Sequence, residues 1–459
     1  MDKIPVTIGL DDIDAPNAGC TTHLASLIAL KLLREGYEFT DFLNLVRLNP
    51  AVPWKTRGNG AVALRLLVEV SKLETINNLV INEVDRYVEK YKNPKHQPSV
   101  VILRGEVPEE VRKMGLKALW DIVPRSYVRD VIAKIRDNLV IHPDSERRGV
   151  IGALAAIGNN LRQVDHTFEL ILYRAEENLG KPRMVDPSSI WEMDQYTRGE
   201  TLLNIDYETK RPLITPRGGD PILLGIRGES PLSLAKAVRF LRIMEPVTLV
   251  ALFRTNQHTD PHVKRLKSVC EIRPYMCVSV SGMVSSRPVR IVGGHVIFKL
   301  CDGSCCIDVA AYEPTKHLRD IVSDLHPGDL VEVIGCARPP SSTHGPTLNL
   351  EKIRVVELVE LKLYENPICP QCGRRMTSAG RGKGFKCTHC GYRSQSLTKI
   401  TRIVQRRLVP GWYEPPPSAF KHVMKPLSRY GREKAGDHKP PVFIVSEKID
   451  DFLKAVEAL

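Results

Sequence analysis

The chain has 459 residues, of which 42% are hydrophobic and 26% charged, and its formal net charge at pH 7 is +13. These values fit a globular protein of several domains and argue against disorder. No apolar stretch approaches about 18 residues and no apolar leader opens the chain, so we expect no membrane span, no export and a cytoplasmic location.

The first segment predicts a strand, a polar loop and a helix. Residues 4–10, IPVTIGL, have the apolar character of a buried strand, and residues 23–35 carry apolar side chains at helical spacing. In α/β folds the loop that follows such a strand holds the chemistry. Similar patterns predict strands at 42–48, 61–70 and 100–105, and helices at 74–91, 108–118 and 126–137.

The loop after the first strand, DDIDAPNAGCTT, places Asp11, Asp12 and Asp14 within four residues. Their mutual repulsion would be relieved by a divalent cation, most naturally Mg²⁺ bridging to a nucleoside triphosphate. Thr21 and Thr22 offer hydroxyls at the start of the following helix. An acidic turn with a threonine helix cap explains the same residues, and the pattern alone leaves both interpretations open.

No Walker P-loop occurs, so a nucleotide would need another phosphate site. One candidate is the basic, glycine-rich turn formed by Lys55, Arg57, Gly58, Asn59 and Gly60, which is equally consistent with a plain hairpin turn. Arg147 and Arg148 open the helical stretch predicted at 147–161 and precede the helix start at Gly149, where positive charge opposes the helix dipole. An anion or a nearby carboxylate would offset that cost.

The region from 147 to 268 predicts two βαβ-like halves and hence a ferredoxin-like sandwich. Strands are expected at 168–174 and 247–253, a helix at 231–244, and short strands between 185 and 230. The run FRTNQHTD begins at the end of the last strand. Its Arg254, Asn256 and Gln257 suit base or ribose recognition, although a polar linker would have the same composition.

Residues 275–360 predict a small barrel. Strand-like segments occupy 276–287, 290–301, 305–312, 330–337 and 347–358. A helical segment, TKHLRDIVSDL, lies between the third and the fourth, which is the order of an OB-fold. A generic barrel or sandwich is the alternative. OB-folds commonly bind single-stranded or looped nucleic acid.

Two CxxC pairs predict a structural zinc site with the ligands Cys369, Cys372, Cys387 and Cys390. A redox role for one pair is less consistent with the paired spacing. The other seven cysteines show no framework, and we expect free thiols in a reducing compartment.

The positive charge is concentrated near the zinc pairs. Residues 369–439 hold 16 Lys or Arg and three Asp or Glu, so this segment carries the whole net charge of the protein. We therefore expect nucleic-acid binding here, with Lys383, Arg406 and Arg407 among the contacts; a solvated basic tail is the alternative. The proline-rich part of this segment is expected to wrap other domains or the ligand, before a short strand and helix end the chain.

Five motifs in this order, GLDDIDAPNAGCTTHLA, TRGNGA, RRGVIGALAAIG, ITPRGGDPILLGIRGE and FRTNQHTD, followed by an OB-like domain and a zinc ribbon, resemble the TiaS family of archaeal tRNA agmatinylcytidine synthetases. The resemblance implies a kinase-like catalytic domain over 1–146, a ferredoxin-like domain over 147–268, an OB-fold over 269–362, a zinc ribbon over 363–400 and a basic extension over 401–459. It also implies ATP-dependent attachment of agmatine to the wobble cytidine of an isoleucine tRNA with a CAU anticodon.

The resemblance also implies residue roles. Asp11, Asp12 and Asp14 would hold Mg²⁺ and ATP, and Thr21 would take part in phosphoryl transfer. The pocket for the nucleotide or the cytidine would be lined by Cys20, Thr22, Gly58, Asn59, Arg147 and Arg148. Ile13 and Ala15 replace hydroxyl residues usual in the family. The guanidinium of agmatine needs a carboxylate, for which Asp220 and Glu229 are candidates.

Two other functions fit parts of the same pattern. A non-enzymatic RNA-binding protein or RNA chaperone would use the barrel and the ribbon and leave Asp11–Asp14 as an acidic turn. A plain kinase or ATPase would use the acidic loop without agmatine chemistry. Substitution of Asp12 by Asn separates an enzyme from a binding protein, because it should abolish activity and preserve RNA binding.

Overall fold

A computed structural model describes residues 2–15, 18–55, 58–342, 344–436 and 444–457. Within these ranges every helix is too short or too polar to cross a membrane. The N-terminal region has mixed α/β structure with the strands β1 (Lys3–Asp11), β2 (Glu38–Phe39), β3 (Leu43–Arg47), β4 (Gly60–Glu69), β5 (Ser99–Arg104) and β6 (Leu139–His142), and the helices α1 (Thr21–Arg34), α2 (Leu73–Lys90), α3 (Glu109–Trp120) and α4 (Arg125–Ile135).

The strands of this region lie in the order β6-β5-β1-β4-β3. Side chains alternate across the sheet: Val100 and Ile102 of β5 join the core that includes α1 and α2, whereas Val101 and Leu103 join the core that includes α3 and α4. Successive side chains of β5 thus enter opposite cores. Because both faces of the sheet are covered, all of these positions are apolar and the strand sequence is a continuous apolar run.

The second region contains α5 (Gly149–Gly158), β7 (Thr167–Arg174), α6 (Pro187–Thr197), β8 (Thr201–Leu202), β9 (Ile205–Asp206), β10 (Arg211–Pro212), β11 (Ile222–Gly228), α7 (Pro231–Val238) and β12 (Val247–Thr255). Its strands continue the N-terminal sheet in the order β12-β7-β11-β8. The junction is a parallel pairing of β12 with β3, in which Phe253 lies opposite Leu43. Helix α5 packs against β1 and β5 of the first region. The two regions therefore share one sheet.

The third region comprises β13 (Lys264–Arg265), β14 (Cys277–Val284), β15 (Val289–Arg290), β16 (Val296–Cys301), β17 (Cys306–Ala311), α8 (His317–Ser323), β18 (Leu330–Arg338) and β19 (Thr347–Glu357). Strands β14, β16, β17, β19 and β18 pair in a ring, because β14 bonds to both β16 and β18. The prediction of a closed five-stranded barrel with a helix after its third main strand is confirmed.

The prediction of free thiols is wrong for this barrel. Disulfides join Cys270 to Cys305, Cys277 to Cys336 and Cys301 to Cys306, whereas Cys20 remains free. Cys277 and Cys336 lie directly opposite each other on β14 and β18, and Cys301 faces Cys306 across β16 and β17. The strand register creates these pairs, and linear spacing does not reveal it.

The C-terminal region holds β20 (Lys362–Glu365), β21 (Thr377–Ser378), β22 (Phe385–Lys386), β23 (Arg393–Ser394), β24 (Ile400–Ile403), β25 (Gly411–Tyr413), β26 (Val445–Ser446) and α9 (Ile449–Glu457). Strand β25 extends the barrel through β19, and β26 adds to β12 of the large sheet. Residues 409–436, called here the C-terminal extension, run between these two anchors across the second region. Residues 437–443 lie outside the described part of the chain.

Candidate active site

Two cavities lie on either side of the loop that follows β1. The smaller, of about 460 Å³, is lined by Asp11 and Asp12, and the larger, of about 640 Å³, by Asp14, Thr21 and Thr22. Lys55 lines both cavities, so they adjoin at that residue. The loop therefore divides its carboxylates between two neighbouring spaces.

Asp12 is the most constrained carboxylate of the loop. Its backbone has a φ of 61°, and its Oδ2 accepts hydrogen bonds from Arg148 Nη2 at 2.6 Å and from the Gln97 backbone N–H at 3.0 Å. Its Oδ1 is buried and has no hydrogen-bond partner among the described residues. A buried carboxylate oxygen without a donor is costly, and a bound cation would satisfy it.

Asp11 lies beside helix α5. An ideal Cβ placed on Gly152 would be 1.9 Å from Asp11 Oδ2, so the glycine leaves the space that the carboxyl group occupies. Burial, and next the like charge of Asp12, raise the pKa of Asp11 well above its ordinary value. A cation in the smaller cavity would oppose both effects.

Asp14 organises the start of helix α1. Its Oδ1 accepts hydrogen bonds from the Thr21 backbone N–H at 2.9 Å and from Thr21 Oγ1 at 3.1 Å. The expected threonine helix cap is not formed, because Thr21 and Thr22 lie inside α1 and the cap residue is Cys20. Asp14 instead accepts the first backbone N–H of the helix, whereas Asp11 and Asp12 face the other cavity. Cys20 lines the larger cavity next to Thr22, and burial raises the pKa of its thiol to about 12, so it is neutral at pH 7.

The glycine-rich turn lies at the boundary between the cavities. Asn59 lines the smaller cavity and Gly60 the larger one. Gly58 and Asn59 have φ values of 79° and 44°, which glycine and asparagine tolerate best. Arg57 falls outside the described residues.

The two arginines before helix α5 have different positions. Arg148 lines the smaller cavity and pairs with Asp12. Arg147 pairs with Asp144 at 3.2 Å and lines neither of the two cavities. Nearby carboxylates therefore offset both positive charges, and a contact with the cofactor is supported for Arg148 but not for Arg147.

The larger cavity has a charged wall built on neighbouring strands. Glu169 is almost fully buried and bonds to Arg227 Nε at 3.1 Å, with Arg47 Nη2 at 3.8 Å. Asp220 also lines this cavity and pairs with Arg183 at 3.2 Å. Glu229 does not line it, because its carboxylate pairs with Arg429 at 2.8 Å beneath the C-terminal extension. Asp220 thus remains a candidate for agmatine and Glu229 does not.

The polar run after β12 is internal. Arg254 is fully buried, packs over the adjoining rings of Phe42 and Phe168, and pairs with Asp41 at 3.1 Å. Asn256 is buried and bonds through its side-chain amide to the backbone of Arg47. Gln257 is buried and donates to Glu169. The prediction that these three side chains contact RNA is corrected, because they fasten the strands of the cavity wall.

The four ribbon cysteines come together as predicted. Their sulfur atoms all lie within 4.8 Å of one another, with Cys369 to Cys390 and Cys372 to Cys387 both at 3.5 Å. Tetrahedral zinc with Zn–S bonds of about 2.3 Å places sulfurs about 3.8 Å apart, so the arrangement fits the ion. A tight turn at each CxxC pair, closed by bonds from Gly373 N–H to the Cys369 carbonyl and from Gly391 N–H to the Cys387 carbonyl, brings the two sulfurs of the pair together.

The basic residues of this part of the chain divide into two groups. Lys383 and Arg407 are exposed. Arg406 instead pairs with the buried Asp329 at 2.5 and 2.8 Å and fastens the C-terminal region to the barrel. The prediction of an RNA contact is therefore corrected for Arg406, whose guanidinium is occupied.

Sequence patterns missed several lining residues of the larger cavity: Arg47, Glu169 and Arg227 on strands, and Ser418 and His422 in the C-terminal extension. Charged residues inside otherwise apolar strands were the available signal for the first three. Nothing local marks the last two, because they lie more than 190 positions along the chain from every other lining residue of this cavity.

Comparisons with known proteins agree with this arrangement. Family models match at residues 7–140 (TiaS TCKD domain), 147–262 (TiaS FLD domain) and 366–408 (TiaS C-terminal zinc ribbon domain). The isoleucine-tRNA 2-agmatinylcytidine synthetase TiaS of Staphylothermus marinus is 49% identical over 445 residues, which cover 96% of each chain. The protein of the same name from Archaeoglobus fulgidus is 40% identical over 93% of this chain and 98% of its own.

Solved structures are similar over nearly the full length. A TiaS complex with its isoleucine tRNA and ATP has a TM-score of 0.82 at 36% identity, covering 95% of this chain and 99% of the other. A complex with the tRNA, AMPCPP and agmatine has a TM-score of 0.78 at 35% identity, with the same coverage. Three matched domains and high identity over almost the whole length show that this chain belongs to the TiaS family.

Proposed function

We propose that this chain is an ATP-dependent ligase that attaches agmatine to the 2-position carbon of the wobble cytidine in the CAU anticodon of an isoleucine tRNA, which changes decoding to AUA. The relatives that it matches are named for this reaction, and solved TiaS complexes hold the tRNA with ATP or with AMPCPP and agmatine. The cytosine carbonyl is a poor electrophile, and phosphorylation of its oxygen creates a leaving group that the amine can displace.

The observation that carries this proposal is the pair of adjoining cavities. A reaction with a nucleotide, a base and an amine needs separate spaces that meet where the phosphoryl group moves. The smaller cavity, with Asp11, Asp12 and Arg148, would take ATP. The larger, with Asp14 and Thr21 at its edge, would take the flipped cytidine and agmatine.

The smaller cavity also suits Mg²⁺. Asp12 Oδ1 is buried without a donor, and the carboxyl group of Asp11 lines the same cavity. A hard cation bound between them would lower the raised pKa of Asp11 and take both groups as carboxylate ligands. Bound there, Mg²⁺ would neutralise triphosphate charge and orient the transferred group. Arg148 fixes the Asp12 carboxylate in place through two hydrogen bonds.

The larger cavity offers partners for the guanidinium end of agmatine and for the phosphoryl transfer. Asp220 and Glu169 supply carboxylates for the guanidinium, which binds carboxylates in a bidentate fashion. Thr21, held by Asp14, presents its hydroxyl towards the phosphoryl transfer. Arg47 and Arg227 offset the negative charge of Glu169. The wall therefore presents both signs of charge to a ligand.

We assign the finer domain architecture on the same basis: a kinase-like catalytic domain over 1–146, a ferredoxin-like domain over 147–268, the OB-fold over 269–362, the ribbon over 363–400 and the basic extension beyond. The exposed Lys383 and Arg407 would contact tRNA phosphates. Those contacts offset the few kcal/mol that flipping a base out of its stack costs.

The test is the mass of a CAU isoleucine tRNA after incubation with the protein, ATP, Mg²⁺ and agmatine. We expect one agmatine adduct on the wobble cytidine, and none if ATP or agmatine is left out. Asp12→Asn should lower adduct formation at least about 100-fold, because losing a metal-binding carboxylate costs several kcal/mol of transition-state stabilisation. Its tRNA affinity should be unchanged.

Asp130→Asn is the matched control, since Asp130 is exposed on α4 and lines neither cavity. It should retain wild-type activity. Absence of any adduct with the wild-type protein, together with tight tRNA binding, would leave the non-enzymatic RNA-binding function in place of the ligase.

A further inference from the structure

The C-terminal extension lies beyond the residues 366–408 matched as the zinc ribbon and reaches the larger cavity. Ser418 and His422 line the larger cavity together with residues of the shared sheet. The extension starts at β25 on the barrel and crosses the second region, so this part of the wall comes from the end of the chain.

The extension is held in register by the polar run that follows β12. The His258 backbone N–H donates to the His422 carbonyl at 2.9 Å, and the Asp260 N–H donates to the Val423 carbonyl at 2.9 Å. The His258 ring bonds to the Met424 carbonyl at 3.0 Å, and Val423 and Met424 are buried. These bonds determine where the His422 side chain lies.

His422 lies against the glycine-rich turn at the boundary of the two cavities. An ideal Cβ on Gly58 would be 3.4 Å from His422 Cδ2 and 2.8 Å from Arg47 Nη1. The next residue, Asn59, lines the smaller cavity. The imidazole is thus close to the place where the proposed phosphoryl transfer and amine attack occur.

The amine attack needs a proton acceptor. A primary alkylamine resembles lysine, whose ordinary pKa of about 10.4 keeps it protonated and non-nucleophilic at pH 7. The carboxylates of the cavity have other proposed roles: Asp14 holds Thr21, and Glu169 and Asp220 face the guanidinium end of agmatine. An imidazole has an ordinary pKa of about 6.5 and is well suited to general-base catalysis near neutral pH.

We propose that His422 is the base of the amination step, an inference that rests on the proposed function. One proton of the agmatine ammonium passes to the His422 imidazole. The freed amine forms the new bond to the 2-position carbon, and the bond from that carbon to the phosphorylated oxygen breaks. Its electron pair leaves with the phosphate, which takes up the second proton of the attacking nitrogen.

The experiment separates the two half-reactions in the full-length protein. His422→Ala should transfer labelled phosphate from ATP to the tRNA at the wild-type rate and lose about 100-fold in agmatine adduct formation, the usual effect of removing a general base. The loss should lie in kcat more than in the KM for agmatine, and added imidazole should restore part of it. His422→Gln, which keeps volume and hydrogen bonding, should show the same loss.

His317→Ala is the matched control, because His317 is exposed on α8 and lines neither cavity. His96→Ala tests the other imidazole of the larger cavity. The proposal is overturned if the His422 variants aminate at the wild-type rate, if they lose phosphorylation equally, or if imidazole rescues His96→Ala instead. A wild-type protein that forms no adduct would refute the proposed function itself.

Discussion

Gly152 determines how closely helix α5 approaches the first carboxylate of the active-site loop. The helix consists of small and apolar residues, and Gly9 of β1 likewise leaves room for it, since a Cβ there would be 2.3 Å from the Ala153 carbonyl oxygen. This close packing places the helix start, with Arg148, beside Asp11 and Asp12. The small-residue pattern in the sequence thus has a functional reason.

Gly152→Ala should therefore damage the proposed nucleotide site. Its Cβ would overlap Asp11 Oδ2, so the carboxylate or the helix must move, at a cost of about 1–3 kcal/mol for overpacking. We expect a lower midpoint of thermal unfolding and weaker binding of ATP, measured by calorimetry. Gly345→Ala is the control, because a Cβ at Gly345 meets no atom within 4 Å. Equal ATP affinity in both variants would contradict the role given to Gly152.

At the scale of elements, the C-terminal extension is a structural part of the catalytic half. Arg429 is fully buried and bonds to Asp165 at 2.7 and 2.8 Å and to Glu229 at 2.8 Å. Lys434 also bonds to Glu229, at 2.9 Å. A basic segment expected to wrap other domains or RNA is thus partly neutralised by acidic residues of its own protein.

Arg429→Ala should release the extension. Removal of one partner from a buried ion pair leaves uncompensated carboxylates and costs about 3–5 kcal/mol. We expect that loss in the free energy of unfolding by denaturant, and faster proteolysis of the extension. Arg432→Ala is the comparison, because Arg432 is exposed three residues away. A variant at Arg429 as stable as that at Arg432 would show that the buried network does not hold the extension.

At the scale of the whole molecule, the ribbon and the catalytic sheet have separable tasks. Exposed basic residues such as Lys383 belong to the segment with the zinc cysteines, whereas the two cavities lie at the junction of the first two regions. The positive block would attract the tRNA by counterion release, and the cavities would carry out the chemistry.

Chelation of zinc should therefore reduce tRNA affinity and leave ATP binding intact. Zinc modules of this size unfold without their metal, and a disordered ribbon cannot present Lys383 in a fixed position. We expect at least about a tenfold rise in the Kd for tRNA, with restoration by added Zn²⁺, measured by filter binding. Parallel loss of ATP affinity would contradict the separation of tasks.

Much of the fold was predictable from the sequence. Periodicity located most strands and helices within a few residues, because local apolar patterns report which faces are buried. The helix expected over 231–244 ends at Val238, however, and the single sheet shared by the first two regions was not foreseen. Pairing between β3 and β12 joins residues more than 200 positions apart, and no local pattern encodes such a partner.

The sequence by itself determined the chemistry-bearing motifs: the carboxylates at Asp11, Asp12 and Asp14, the zinc ligands, the order of the barrel and the location of the positive charge. A zinc knuckle or an acidic loop is defined by residues only a few positions apart, so the local sequence is sufficient to identify it. The family resemblance implied that these motifs serve an ATP-dependent reaction on a tRNA.

Tertiary structure alone decided which residues meet. It placed Asp14 in a different cavity from Asp11 and Asp12, and it brought His422 to the larger one. It also buried Arg254 and paired the barrel cysteines. The physical reason is that burial, disulfide register and cavity walls depend on contacts between distant segments. The residue type determines the chemistry of a side chain, whereas the tertiary contacts determine its surroundings.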